Sequence, residues 1–201
     1  TGILHFCSVS LVESPMKETH KAVLKLAKKN HAIISFDPNI RLPLWSSAEA
    51  CQETVREFLP DADLVKLSDE ECFFVTGKHS ILDAADWLFE QGCKMVLYSM
   101  GKEGAMILTP HFSSHVENPE VRVKDTTGAG DAIIGAYLYC LAKNHITVSQ
   151  LADCLPEQVQ EWLTFAVYYA NYSITKSGAI ASYPDYTTFV KWMQEKRKKA
   201  H

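Results

Sequence analysis

The sequence predicts an α/β fold, a doubly wound and mostly parallel sheet flanked by helices, and three observations carry that prediction. Apolar runs of strand length alternate with longer amphipathic stretches along the 201 residues. The string Asp125-Thr126-Thr127-Gly128-Ala129-Gly130-Asp131 opens straight into an apolar helical stretch. No internal repeat, low-complexity tract or linker divides the chain, so residues 1–201 read as a single domain.

The first apolar run, Ile3 to Val9, reads as a buried strand. Ser14-Pro15 supplies an N-cap and an N1 proline for a helix that fades at Asn30. His31 to Phe36 is the next strand. Asp37 to Trp45 is a loop, because two prolines break regular structure there. Ser46 or Ser47 starts a helix that ends before Pro60, and Asp63 to Leu67 is a brief strand. Ser68 and Glu71 have capping-box spacing, and that short helix stops at Gly77. Ser80 to Gln91 is helical, with Gly92 just past its end. Lys94 to Met100 and Ala105 to Thr109 are strands joined by a turn over 101–104. Residues 110–119 read as a polar loop and Val121 to Lys124 as a short strand. Helices follow over Gly128 to Lys143, Pro156 to about Thr175, and Tyr186 to Lys199, with Gly178 breaking the second.

The composition, 47% hydrophobic and 22% charged, excludes a collagenous, coiled-coil or disordered chain. Twenty basic against 24 acidic residues give a net charge of −4, which argues against a nucleic-acid or membrane-surface partner. The one basic run, Lys196 to Lys199, reads as a solvated helix end. No apolar stretch approaches the roughly 18–20 residues needed to span a bilayer, and no signal peptide is expected. The six cysteines show no zinc-type spacing and are expected as reduced thiols of a cytoplasmic protein. His111 and His115 read as exposed loop residues, and the Asn171-Tyr172-Ser173 sequon as coincidence within an apolar helix.

The 125–131 segment carries the chemistry. Free backbone N–H groups at a glycine-rich helix start make an anion site, and small residues let a phosphate approach closely. Asp131 beside such a site suits a base that accepts a proton from an attacking hydroxyl. The alternative is a helix start whose Asp merely favours the positive end of the dipole, but the complete seven-residue string points to function. It is neither a Walker A loop nor a dinucleotide fingerprint.

At these residues the chain resembles the ribokinase-like (pfkB) family of carbohydrate kinases. Asp37-Pro38-Asn39-Ile40-Arg41 with Leu44-Trp45 resembles a block of its fructokinase-like branch. Lys66 to Glu71 resembles the segment holding the family's Asn-x-x-Glu, and Ser99 to Gly104 its nucleotide-binding strand and turn. Thr175 to Ala179, followed by Pro184, resembles the loop that closes over adenine and a monovalent cation. The resemblance implies Asp131 as catalytic base and Gly128, Ala129 and Gly130 as the anion hole for the γ-phosphate of ATP. It implies that Glu71 organises Mg²⁺ through water, with Lys66 and Ser68 on the same cofactor side. Ser68 stands where many relatives carry Asn, and the residues alone read equally as a plain capping box. Ser99, Gly101 and Gly104 match nucleotide contacts, although by themselves the two glycines are turn residues. Asp125 and Thr127, with carbonyls around Ser173, Lys176 and Gly178, match a site for K⁺. Arg41 and Asn39 fall on the sugar side, on a loop at the C-terminal end of a strand.

The resemblance also implies that complete members are longer, with an N-terminal part and a β lid that this chain lacks. The chain, beginning at Thr1, thus resembles the C-terminal two-thirds of an ATP-dependent sugar kinase, most like a fructokinase, and alone would be inactive. Ribokinase, 2-keto-3-deoxygluconate kinase and ribonucleoside kinase are alternatives, as is an inactive nucleotide-binding fragment. The implied partners are a small sugar and ATP, and the complete protein is open to homodimerisation.

Overall fold

The computed structural model describes residues 2–199, and the fold is built on one six-stranded sheet in the order β1-β2-β3-β4-β5-β6. The strands are β1 (Ile3–Cys7), β2 (Ile33–Asp37), β3 (Leu64–Ser68), β4 (Met95–Ser99), β5 (Ala105–Leu108) and β6 (Ser113–Val116). β1 to β4 are parallel, with Cys7 opposite Asp37 and Ser68 opposite Ser99. β5 and β6 return antiparallel, so the sheet is mixed, parallel over its first four strands.

The helices are α1 (Pro15–Lys29), α2 (Ala48–Phe58), α3 (Asp69–Thr76), α4 (Ile81–Glu90), α5 (Ala129–Lys143), α6 (Pro156–Ser173) and α7 (Tyr186–Lys199). Right-handed crossovers that all step the same way along the sheet place their helices on one face. Leu24 of α1, Val55 and Phe58 of α2, and Ala85 and Leu88 of α4 accordingly share one core with Phe36, Val65, Leu67 and Val96. The other face is covered by α5 and α6, whose Ile133, Tyr137, Leu163 and Val167 pack on Ile33, Leu64, Met95 and Leu97. Strands buried on both faces read as continuous apolar runs, which is why β2 to β4 were legible as strands. α7 docks Phe189 and Met193 against Tyr172 at the end of α6.

Helix starts follow the local chemistry. Ser14, Ser47 and Ser80 each accept a backbone N–H in the first turn of α1, α2 and α4. Gly77 ends α3 in the left-handed conformation, φ 75°.

Two sequence expectations need correction. Val121 to Lys124 forms no strand: the backbone N–H groups of Lys124 and Asp125 both donate to the Ile174 carbonyl, which ties the segment to the end of α6 instead of the sheet. Within the expected loop 110–119, Ser113–Val116 is β6, because β5 offers an unpaired edge and pairing is available even to a polar segment. His115 therefore sits on a strand, exposed, with Nε2 2.8 Å from the Glu103 carbonyl. Gly104 explains the tightness of the β4–β5 return. A Cβ there would lie 2.0 Å from the Val116 carbonyl oxygen, so the turn admits only glycine.

Candidate active site

The parallel strands β2, β3 and β4 end at the same edge of the sheet, and α5 begins above it. There a crevice of about 650 Å³ is lined by Asp37, Asn39, Arg41, Lys66, Ser68, Glu70, Glu71 and the whole segment Thr126 to Asp131. Open α/β sheets bind ligands at this edge because loops from several strands converge on it.

The glycine-rich start of α5 is set by Gly128, which caps the helix with φ 79°. A side chain at 128 would meet the Tyr183 hydroxyl at 2.7 Å and the Ala179 Cβ at 2.9 Å. Tyr183 also donates its hydroxyl to the Gly128 carbonyl at 2.9 Å, which fixes the turn. The Ala129 N–H points back to the Thr126 carbonyl, and the Ala132 N–H bonds Gly128. Among the described residues the N–H groups of Gly128, Gly130 and Asp131 have no protein partner. Gly128 and Gly130 of the expected Gly128-Ala129-Gly130 set thus keep free N–H groups, while that of Ala129 is taken and that of Asp131 is free instead.

Beneath this loop lies a buried charge cluster. Lys66 Nζ is 3.3 Å from both carboxylate oxygens of Asp37 and 3.5 Å from Glu71 Oε2. The three side chains are only 7%, 2% and 10% exposed. Glu71 Oε1 accepts the Ile40 N–H, and Oε2 accepts both the N–H and the hydroxyl of Ser68. The serine that stands in place of asparagine therefore anchors the carboxylate from two atoms. Desolvation raises the Glu71 pKa, but Lys66 and these donors outweigh it and hold the carboxyl below its ordinary range. Asp37 receives fewer donors, the Asn39 N–H and Lys66, so desolvation dominates and pushes its carboxyl up to about 6. This pairing of Asp37 has no local sequence signal, because its partner Lys66 is 29 residues away.

The raised Asp37 pKa carries a stability prediction. Between pH 3.8 and about 6 the folded chain holds a proton that the unfolded chain has released, so the Asp37 contribution to stability falls as pH rises through that window. Asp37→Asn cannot ionise. Its stability relative to the unaltered chain should rise from pH 4 to pH 7, by a difference on the order of 1–3 kcal/mol. Thermal unfolding across that range checks it, and a flat difference would refute it.

The sugar-side expectations share the crevice. Asn39 adopts φ 43°, and Arg41 is exposed with Nη1 bonded to the Ile40 carbonyl. Ser99 closes β4 beside Ser68 on the same edge, its Oγ 3.4 Å from the Leu67 carbonyl. Gly101 and Gly104 lie in the turn beyond it, and none of the three is among the residues lining the crevice. Asn118 holds that turn by donating to the carbonyls of Gly101 and Lys102, and itself accepts from Asn171 of α6 at 2.7 Å. Asn171 is buried, which accounts for its sequon as coincidence. This asparagine bridge had no local sequence signal.

Asp125 joins the loop before α5 to the loop after α6. Its carboxylate accepts from the Gly178 N–H and from the N–H and hydroxyl of Thr127, which hold its pKa down to about 2. Ser173 stands back from this junction: its hydroxyl donates to the Ala170 carbonyl, and its own carbonyl accepts the Lys176 N–H.

The donor set fits a hydrated Mg²⁺. Glu71 is fixed and aimed at the crevice with most of its lone pairs occupied, which suits contact through a bound water. Among the described residues no group of three or more His, Cys, Asp or Glu side chains could enclose a metal. Mg²⁺ commonly keeps several waters and takes the rest of its shell from phosphates.

A glycine-rich helix start with a carboxylate in its first turn, set over the C-terminal edge of this sheet, defines the ribokinase-like class of α/β proteins. The profile of the "pfkB family carbohydrate kinase" matches residues 1–186, and the chain belongs to that family. It is 36% identical over 197 residues to "Probable fructokinase-5" of Arabidopsis thaliana, covering 98% of this chain and 59% of that protein. It is 34% identical over 183 residues to "Fructokinase-2" of Solanum habrochaites, covering 90% and 54%. Among solved structures, a fructokinase from Vibrio cholerae O395 bound to fructose, ADP and calcium ion superposes with TM-score 0.83 at 30% identity, covering 94% of this chain and 60% of that one. A fructokinase from Xylella fastidiosa with bound ATP superposes with TM-score 0.86 at 27% identity, covering 97% and 62%. The chain thus spans a little over half the length of these relatives. No helix among the described residues is long and apolar enough to cross a membrane.

Proposed function

We propose that this chain forms the nucleotide-binding and catalytic part of an ATP-dependent sugar kinase, most like a fructokinase, that converts fructose to fructose 6-phosphate. The observation that carries the reading is the crevice itself. It presents Asp131 and the unpartnered N–H groups of Gly128 and Gly130 opposite Glu71, Arg41 and Asn39. In this reading the N–H groups hold the γ-phosphate while Asp131 accepts the proton of the sugar hydroxyl. The hydroxyl oxygen bonds the γ-phosphorus as the bond to the β-phosphate oxygen breaks, releasing ADP. Mg²⁺ bound by the phosphates, with Glu71 reaching one of its waters, would supply charge neutralisation. Arg41 and Asn39 take the sugar. Ser99 and the Gly101–Gly104 turn, held by Asn118, border the base of the nucleotide.

Asp125, Thr127 and the Gly178 backbone converge, which supports a K⁺ site linking the loops on either side of α6. Six unpaired cysteines fit a reducing compartment, the cytoplasm. The open outer edge of β1 leaves room for further strands or for a homodimer of the longer protein.

ADP release by the longer protein with MgATP and a panel of fructose, ribose, 2-keto-3-deoxygluconate and a ribonucleoside tests the reading. Fructose should give the highest kcat/KM, with higher rates in K⁺ than in a large organic cation. A better rate with another acceptor would replace the fructokinase assignment, and no release with any of them would remove the kinase reading.

A further inference from the structure

Lys66 is the only charged residue in the run Leu64-Val65-Lys66-Leu67-Ser68, the strand that crosses the centre of the sheet. Strand alternation puts it on the same face as Leu64, beneath the start of α5. Burying an ammonium there costs several kcal/mol unless it is closely paired. Lys66 meets two buried carboxylates, at the end of β2 and in the first turn of α3. It also faces the start of α5: a Cβ built on Gly130 would lie 3.4 Å from Lys66 Nζ, so the glycine leaves the ammonium its room. One ammonium therefore pairs with the end of β2 and the first turn of α3 directly beneath the start of α5.

The charges of the crevice give that contact a further consequence. Asp37, Glu70, Glu71 and Asp131 line it, against only Lys66 and Arg41 as cations. With both carboxylates ionised, the Asp37–Lys66–Glu71 trio carries a net charge of about −1 at neutral pH. Without the ammonium it would carry −2 directly under the anion hole once both carboxylates are ionised, a state that losing Lys66 shifts to alkaline pH because the Asp37 pKa already stands at about 6 beside it.

We propose that Lys66 is a positioning residue that holds the end of β2 and the first turn of α3 together beneath the start of α5 and offsets two carboxylates that would otherwise repel an incoming phosphate chain. This deepens the nucleotide-site reading and rests on it. Lys66 acts through Asp37 and Glu71, and it touches no reacting atom.

The test is a charge series in this chain: Asp37→Asn, Lys66→Met, and the two together. The Asn variant removes one carboxylate, the Met variant removes the cation at similar length, and the double variant restores a net −1. Calorimetry at pH 9 with Mg²⁺, where Asp37 is ionised with or without Lys66, compares ATP with adenosine, which has the base but no phosphates. ATP affinity should fall about tenfold or more in Lys66→Met, return to within about threefold in the double variant, and exceed that of the unaltered chain in Asp37→Asn. Adenosine affinity should stay within about twofold throughout. A purely structural role predicts equal losses for both ligands, or a lowered melting temperature with ATP affinity intact, and either result overturns the proposal. If Lys66→Met does not fold, Asp37→Asn and the double variant still decide it, because unchanged ATP affinity in Asp37→Asn would also overturn it. An unaltered chain that binds neither ATP nor adenosine would overturn the nucleotide-site reading, and this inference with it.

Discussion

Asp131→Asn in the longer protein should lower the rate of phosphoryl transfer by about 10²–10⁴, the usual weight of a positioned general base. Asn nearly matches Asp in shape, so the start of α5 and its free N–H groups should survive the change. Nucleotide affinity should therefore stay close to normal, or tighten slightly, because a negative charge beside the γ-phosphate is gone. If Asp131 serves only the helix dipole, the kinetic effect should be small and the stability loss roughly 0.3–1 kcal/mol. Single-turnover sugar phosphorylation with a parallel ATP titration separates the two outcomes. Near-normal turnover in the variant would falsify the base assignment. The same assay on residues 1–201 alone should show little or no sugar turnover, since the chain spans just over half the length of its relatives.

Gly128→Ala should have the largest effect of any single methyl group added to a residue lining the crevice. The residue has φ 79°, where an L side chain is strained by about 1–3 kcal/mol. The added Cβ would also press on the Tyr183 hydroxyl and on Ala179. Relief requires the loop over 126–131 to move away from the Ala179–Tyr183 segment, breaking the Tyr183 hydrogen bond to the Gly128 carbonyl. The expected result is a lowered melting temperature together with a loss of ATP affinity of tenfold or more, on the order of 1.4 kcal/mol or greater. Gly135→Ala is the control. It lies in the same helix, has open space around its Cα and has an ordinary helical φ, so it should be neutral or slightly stabilising. Equal behaviour of the two variants would contradict the geometry assigned to the anion hole.

Much of the architecture could be read locally. Ser14 before Pro15, Ser47 and Ser80 mark helix starts because a hydroxyl and an N–H two or three residues later suffice to make a cap. The Ser68–Glu71 pair was legible for the same reason, and the structure gives its carboxylate a second set of partners. The failures arose where pairing decided the outcome. Val121 to Lys124 alternates like a strand but finds the end of α6, whereas the polar Ser113–Val116 pairs because β5 offers it an edge. The site shows the same division. The string 125–131 showed a glycine-rich helix start with a carboxylate in its first turn, but not which N–H groups remain free. That depended on where the Thr126 and Gly128 carbonyls turned.

The sequence by itself determined the alternation of strands and helices, the caps that start the helices, and the glycine-rich segment with Asp131 behind it. Each depends on hydrogen bonds and side-chain periodicity within a few residues, so a short stretch of chain contains the whole cause. Only the tertiary structure decided that Lys66 would be held between Asp37 and Glu71, that Asp125 would reach Gly178 across 53 residues, and that Asn118 would bridge the 101–104 turn to α6. These contacts join residues brought together by sheet pairing and helix packing. Their strength comes from burial or from geometry that no local window of sequence contains.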